Sequence, residues 1–274
     1  MARSKRRRRR SSGRAVQVLV GVLLVLACIG VGGAYAWLSM TTERSPNLVA
    51  DTLCPVDGPR SVTVVLLDSS DDIPDVGRRQ LTTFLQDLAD GMPEYGLLEL
   101  RLLDPAVDGG RVVFSKCNPG NGSNLSELVA NPAAVRRRWT ETFQAPLQEA
   151  LDSGLASSEA DRSPIMETIQ RIAVDRFDGN AVRDVEKRLI LVSDMIEHGP
   201  AYSQYRDGVS FEAFQRLPAR DAYATNLHGA KVIVRYVQRA SARFDSGEHI
   251  RFWTDWIKTN GGNIVDAEKV QGAG

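Results

Sequence analysis

An acidic turn directly after an apolar segment is the part of this chain whose residue types are best suited to chemistry. The apolar run Ser61–Leu67 ends in Asp68-Ser69-Ser70-Asp71-Asp72, which places three carboxylates and two hydroxyls within five residues. Such runs are typical of buried parallel strands, and the ligands of open α/β sheets bind just beyond the carboxyl ends of those strands. Carboxylate and hydroxyl oxygens are preferred by hard dications. The turn therefore predicts a site for Mg²⁺, or for Mn²⁺ or Ca²⁺.

Two other places in the chain supply matching residues. The apolar run Leu189–Val192 ends in Ser193-Asp194, and Ser163 precedes Pro164 at the start of a predicted helix. A simpler interpretation makes Ser163 the N-cap of that helix, with proline at its first position. Asp and Ser at strand ends also occur as ordinary turn residues. The sequence alone leaves these alternatives open.

In their order and spacing, these segments resemble the von Willebrand factor A (VWA) domain family. The adhesion site of that family, which depends on a metal ion, is written D-x-S-x-S, followed by a Thr and then by an Asp. Asp68 and Ser70 match the first two positions, and Ser163 and Asp194 stand where the family has its Thr and its final Asp. The resemblance covers about residues 60–266 and implies a Rossmann-like α/β fold. The metal ligands it implies are Asp68, Ser70, Asp72, Ser163 and Asp194.

The chain departs from the family pattern at residues that affect the charge and shape of this site. Asp72 stands where the second Ser is expected, and Met195 replaces the Gly after the final Asp. Three carboxylates around a dication leave a net negative charge, which favours metal binding but opposes an acidic ligand at short range. Alternatively, Asp72 points away from the ion and caps the following helix.

Strands and helices alternate along the predicted domain. Strands are predicted at about Ser61–Leu67, Leu97–Leu103, Arg111–Ser115, Leu189–Val192, Lys231–Val237 and Asn263–Val265, and the main helices at about Arg78–Asp90, Pro132–Leu151, Ser163–Phe177 and His249–Asn260. This order predicts a mostly parallel sheet with helices on both faces. The short turn Asp108-Gly109-Gly110 makes the third strand an antiparallel edge.

The N-terminal residues have the pattern of a signal anchor. Residues 1–14 carry eight basic side chains and no acidic one, whereas the rest of the chain has 26 basic and 34 acidic residues. Ala15–Leu38 is uncharged, and about 36 Å of helix is enough to cross a bilayer. The basic flank predicts a cytoplasmic N-terminus and a domain outside the cytoplasm. A cleaved signal peptide with an A-x-A site at Ala34-Tyr35-Ala36 and a lipoprotein box ending at Cys28 are the alternatives.

The regions that flank the domain are short. Residues 39–59 are polar and rich in proline and predict a linker, and residues 267–274 predict a flexible tail. Cys54 and Cys117 lie on the exported side, at the same end of the predicted sheet if the third strand is antiparallel. They form either a disulfide or two free thiols.

The motifs favour a binding domain over an enzyme. The chain has no P-loop, G-x-S-x-G or G-x-G-x-x-G motif, and no catalytic set is visible. We therefore expect a membrane-anchored, periplasmic or extracellular VWA-like domain that binds another protein, with no nucleic-acid partner and no small-molecule substrate. One alternative is a metal-dependent hydrolase, for which His198 is the nearby candidate base. Another is a scaffold that binds no metal.

Overall fold

The computed structural model describes residues 12–41, 46–68, 75–123, 131–154, 161–238 and 244–270. The helices in these ranges are α1 (Ser12–Thr41), α2 (Asp75–Asp90), α3 (Pro132–Trp139), α4 (Ala145–Gly154), α5 (Ile165–Ile172), α6 (Gln204–Asp207), α7 (Phe211–Phe214), α8 (Ala219–Ala222) and α9 (Ser246–Thr259). The strands are β1 (Ser61–Leu67), β2 (Gly96–Leu102), β3 (Arg111–Cys117), β4 (Glu186–Ser193), β5 (Lys231–Val237) and β6 (Asn263–Val270). The chain divides into two units, residues 1–46 and residues 47–274.

The described strands form one six-stranded sheet in the order β3-β2-β1-β4-β5-β6. Strands β2 and β3 are antiparallel, and every other neighbouring pair is parallel. The predicted fold class, a mostly parallel sheet with one antiparallel edge strand, is confirmed. Strands β1 and β4 pair from Ser61 and Glu186 through to Leu67 and Val192. Their carboxyl ends therefore lie side by side in the middle of the sheet.

Both faces of the sheet are covered by helices. The central strands direct alternate apolar side chains to opposite faces, and each face packs against helices to form a core. Val64 contributes to a core that contains Ile169 of α5 and Trp253 of α9. Val65, the next residue of β1, contributes to the other core with Leu85 of α2 and Phe143. Successive side chains of a strand point to opposite faces of the sheet. A strand that is buried on both faces therefore has a nearly continuous apolar sequence.

Helices α3 and α4 are joined without a break by a π turn at Thr140–Gln144. Pro146 has no N–H to donate to the carbonyl of Thr142, four residues earlier, and its ring would clash with that group in a regular helix. The wider π turn fits this position, and Nζ of Lys116 lies 3.3 Å from the Thr142 carbonyl oxygen and donates to it. The predicted helix Pro132–Leu151 is present, with this local adjustment.

The last strand is longer than its sequence pattern indicates. Strand β6 extends to Val270, beyond the predicted strand end at Val265 and into the predicted tail 267–274. It forms the edge of the sheet, and the charged residues Asp266, Glu268 and Lys269 give its sequence the polarity of a tail. Charged side chains on an edge strand also oppose pairing with other chains.

The segment that leads into β1 folds with the domain. The Cys117 N–H donates to the Thr52 carbonyl at 2.8 Å, and a disulfide joins Cys54 to Cys117. The N–H of Arg60 donates to the carbonyl of Tyr95. The folded unit accordingly starts at Asn47, within the predicted linker 39–59. Proline and glycine mark tight turns as readily as linkers, and the sequence pattern does not distinguish the two.

The other unit contains helix α1. Within it, Val16–Trp37 is 22 residues long and apolar enough to cross a membrane, in good agreement with the predicted span Ala15–Leu38. The side chains of this stretch are exposed. The basic residues up to Arg10 lie outside the described residues. The cytoplasmic placement of the N-terminus stays a prediction from sequence.

Candidate metal centre

The fold brings together three of the five predicted metal ligands. Asp68 directly follows β1, and Asp194 directly follows β4, its parallel neighbour. Their exposed fractions are 3% and 8%. Ser163 lies two residues before α5, at the same edge of the sheet. Ser70 and Asp72 lie outside the described residues, so their assignment as ligands stays a prediction.

Two serine hydroxyls converge on one oxygen of Asp68. Oγ of Ser163 donates to Oδ2 of Asp68 at 3.1 Å, and Oγ of Ser193 donates to the same oxygen at 2.8 Å. The Ser193 hydroxyl also accepts a hydrogen bond from the Met195 N–H, which fixes its orientation. Ser193 was not among the predicted ligands, although a hydroxyl beside the acid at a strand end was visible in the sequence. The hydrogen bond from Ser163 spans 95 residues of sequence.

The alternative role of Ser163 as a helix cap is wrong. Helix α5 begins at Ile165, its N-cap is Pro164, and no side-chain hydrogen bond caps it from that position. The backbone of Ser163 instead pairs with His198 in both directions, with N···O distances of 3.1 and 2.9 Å. This pairing holds Ser163 outside the helix and leaves its hydroxyl directed at Asp68.

Asp194 is a carboxyl group in an environment that disfavours its charge. Burial, the larger cause, and the charge of Asp68 together raise its pKa to about 7, although the hydrogen bond from the Ile196 N–H opposes this rise. That N–H donates to Oδ1 of Asp194 at 3.0 Å. The next residue, Met195, has a φ of +62° and a fully buried side chain. A non-glycine residue thus occupies the left-handed region at the position where the resembled family has Gly.

No family model and no curated protein sequence matches the chain. Among solved structures it is similar to the conserved hypothetical protein BatB from Bacteroides thetaiotaomicron, with 13% identity, a TM-score of 0.43, and coverage of 78% of this chain and 91% of that one. An aerotolerance-related membrane protein from Bacteroides fragilis gives 13% identity, a TM-score of 0.35 and coverages of 77% and 92%. The SpRpn10 VWA domain gives 8% identity, a TM-score of 0.38 and coverages of 77% and 89%. Likeness at these identities concerns the fold alone.

The mostly parallel sheet, its antiparallel edge pair and the acids that follow the two central strands agree with the fold that the sequence resemblance implies. The domain is VWA-like. The prediction that Asp68, Ser163 and Asp194 bind a metal in this VWA-like domain therefore rests on the geometry of this chain, which places them at one edge of the sheet.

His198 lies beside this edge of the VWA-like domain, through its backbone pairing with Ser163. Its Nδ1 is 2.8 Å from Oγ of Ser203, and its ring makes an edge contact with the half-exposed Tyr205. Within the described ranges, no three His, Cys, Asp or Glu side chains are grouped as metal ligands. The predicted site differs from such a group because it depends on hydroxyls and on Asp72, which lies outside those ranges.

Sequence patterns did not reveal a third carboxyl group near this edge of the sheet. Glu197 is fully buried, and its Oε2 accepts a hydrogen bond from the Met166 N–H at 2.8 Å. Burial raises the pKa of Glu197 to about 8, against the hydrogen bonds from the backbone of Met166 and Ile165. A glutamate three residues after Asp194 carries no motif, and only the tertiary structure places it at the start of α5.

Proposed function

We propose that this protein is a membrane-anchored VWA-like domain that binds another protein outside the cytoplasm through a divalent ion. The ligands in this proposal are Asp68, Ser70, Asp72, Ser163 and Asp194. The observation that carries the proposal is the convergence of the Ser163 and Ser193 hydroxyls on Asp68, beside the buried Asp194. Residues from three separate segments are thereby held in one place.

The described residues fit a small dication. Two carboxyl groups and a hydroxyl at one edge supply the oxygen donors that Mg²⁺ and Mn²⁺ prefer. Burial together with the charge of Asp68 opposes ionisation of Asp194, and a bound cation would supply the positive charge that favours the ionised form. Once bound, the ion would offer an open position to an oxygen ligand of the partner.

Two further observations support the proposed location. Helix α1 is long and apolar enough to anchor the chain in a membrane. The disulfide between Cys54 and Cys117 is of a kind that persists mainly in oxidising compartments. Both agree with a domain on the extracytoplasmic side, the orientation that the basic N-terminal flank predicts.

Metal titration of the full chain in detergent tests the proposal. We expect Mg²⁺ or Mn²⁺ to raise the melting temperature and to give a saturable calorimetric isotherm. Asp68→Ala and Asp194→Ala should each abolish both effects. A matched control is Asp104→Ala, which removes a carboxylate from the partly exposed loop after β2. The absence of a metal response in the wild-type chain would refute the proposed ion site.

A metal-free scaffold is the second candidate, and one observation favours it. Oδ2 of Asp68 already accepts hydrogen bonds from Ser163 and Ser193, so the turn is stabilised without an ion. In this case the titration gives no response, while Asp68→Ala still lowers the melting temperature. For the hydrolase alternative, activity on a generic phosphoester that His198→Ala abolishes would be the required result.

A further inference from the structure

The start of α5 matters to the site because it positions Ser163. The first N–H groups of a helix have no acceptor within the helix and need one from elsewhere. Pro164 occupies the N-cap and offers no side-chain acceptor. In most helices a local Ser, Thr, Asp or Asn fills this role.

Glu197 supplies the missing acceptor from a different element. Its Oε2 accepts the Met166 N–H at 2.8 Å, and the backbone of Ile165 also donates to this carboxyl group. Glu197 belongs to the loop that follows β4, three residues after Asp194. The carboxyl group thus joins the segment that carries Asp194 to the helix that follows Ser163.

The position of the Glu197 side chain is fixed by its surroundings. The Glu197 N–H donates to Oε1 of Gln204 at 2.8 Å, and the Gln204 N–H donates to the Glu197 carbonyl at 3.0 Å. Oε1 of Gln204 also lies 2.9 Å from Nε2 of the buried His249. A Cβ atom on Gly199 would lie 2.6 Å from both Oε1 of Glu197 and the hydroxyl oxygen of Tyr223. Only glycine leaves room for the carboxyl group at this point.

We propose that Glu197 is a positioning residue of the metal centre, which caps α5 from the β4 loop and thereby holds the Ser163 hydroxyl against Asp68. The role at the metal rests on the proposed function, whereas the capping of α5 does not. Glutamine at this position keeps one oxygen acceptor and a similar shape. Methionine keeps the length and removes the acceptor, and Gly199→Ala displaces the carboxyl group without removing it.

The test uses the full chain in detergent and two measurements. Hydrogen exchange of the peptide that spans Ser163–Ile172, followed by mass spectrometry without metal, reports capping. Mn²⁺ binding, followed by electron paramagnetic resonance, measures the affinity of the proposed metal centre. We expect Glu197→Met and Gly199→Ala to speed exchange at the helix start and to weaken Mn²⁺ binding by about tenfold or more, the equivalent of one lost hydrogen bond. Glu197→Gln should stay within about threefold of wild type in both, because it retains the acceptor.

A control variant separates positioning from general loss of stability. Leu85→Ala removes a buried side chain from the core on the other face of the sheet. Unchanged exchange at the helix start in Glu197→Met would overturn the proposal. So would an equal loss of Mn²⁺ affinity in Leu85→Ala at a matched fall in melting temperature. If the wild-type chain binds no Mn²⁺, the proposed function fails, and the exchange measurement alone decides whether Glu197 caps α5.

Discussion

At the scale of single residues, the main feature of the site is the burial of carboxyl groups close together. Asp68 and Asp194 lie at adjacent strand ends, and Glu197 is buried in the loop that follows Asp194. Burial raises the pKa of Asp194 to about 7 and that of Glu197 to about 8. Perturbed carboxyl groups of this kind are common at functional sites, because the same low-polarity surroundings strengthen binding of a counter-ion.

Metal affinity should therefore depend on pH near neutrality. Below about pH 7 a proton competes with the ion for Asp194, so the apparent Mn²⁺ affinity should fall by up to about tenfold per pH unit. Above that pH it should level off. Calorimetric titrations at several pH values from 5.5 to 8.5 would measure this. Affinity that is independent of pH over this range would show that Asp194 is not a ligand that must lose a proton.

In the metal-free chain, a rise in pH should lower the folding stability, whereas it raises the metal affinity. The ordinary pKa of Asp194 is 3.8, whereas in the folded state it is about 7, so the folded state binds more protons between these values. The contribution of Asp194 to stability is thus present in acid and lost as the pH rises towards 7. Asp194→Asn should reduce this pH dependence in denaturant unfolding without metal. An unchanged slope would indicate an unperturbed carboxyl group.

Met195 illustrates how one residue can offset a strained backbone. Its φ of +62° costs roughly 1 kcal/mol for a residue other than glycine, but its side chain is fully buried. Losing such a side chain costs about 2–5 kcal/mol. Met195→Gly, the residue that the resembled family has here, should therefore destabilise the domain by about 1–4 kcal/mol in urea unfolding. A gain in stability would show that the strain outweighs the packing.

At the scale of elements, α5 is held by carboxyl groups near both of its ends. Glu197 accepts hydrogen bonds at its start, and Glu99 of β2 binds the π turn Ala173–Phe177 that follows it. Oε2 of Glu99 lies 2.7 Å from Arg176, and its Oε1 lies 2.6 Å from Nε of Arg101. Burial opposes the charge of Glu99, yet the bonds and charges of both arginines hold its pKa below the usual range.

Neutralising Glu99 should destabilise this connection. Glu99→Gln leaves Arg101, which is 3% exposed, without the charge of its nearest partner, at a cost of about 3 kcal/mol. The matched control is Asp104→Asn, because the pair of Asp104 with Arg111 is longer, at 3.8 Å, and partly exposed. The control should cost less than about 1 kcal/mol. Equal values in urea unfolding would mean that the buried pair contributes no more than a surface pair.

At the scale of the whole folded unit, the disulfide fixes where the domain begins. Cys54 and Cys117 are 63 residues apart, and their bond joins the segment before β1 to the end of β3. Closing a loop of this length stabilises a domain by about 4 kcal/mol in the chain-entropy model. This bond, together with the hydrogen bonds of the same segment, explains why the folded unit starts at Asn47.

Removing this disulfide should be costly. We expect the double variant Cys54→Ser and Cys117→Ser to lose about 2–4 kcal/mol of unfolding free energy in guanidinium. Reductant should lower the stability of the wild type to the same level and leave the variant unchanged. If reductant has no effect on the wild type, the two residues exist as free thiols.

How far the sequence predicts this fold differs from element to element. Strands β1 and β5 begin and end where predicted, because short segments rich in valine and other apolar residues, bounded by turn residues, are typical of strands. The end of β6 was missed, since an edge strand with charged side chains has the composition of a tail. Asp68 and Asp194 were predicted as site residues because of where they stand at the ends of the predicted central strands. Ser193 and Glu197 were not, because nothing local marks what a side chain will contact across the fold.

The sequence by itself determined the membrane-anchor pattern, the α/β class and the acidic strand ends, all of which follow from local composition and periodicity. Only the tertiary structure decided which groups meet. In the structure Ser163 donates a hydrogen bond to Asp68 and does not cap the helix, and Ser193 donates to the same oxygen. Glu197 lies at the start of α5. These contacts join segments that lie 95, 125 and 31 residues apart in the chain. Contacts at such separations depend on the order and register of the strands, which local sequence patterns do not specify.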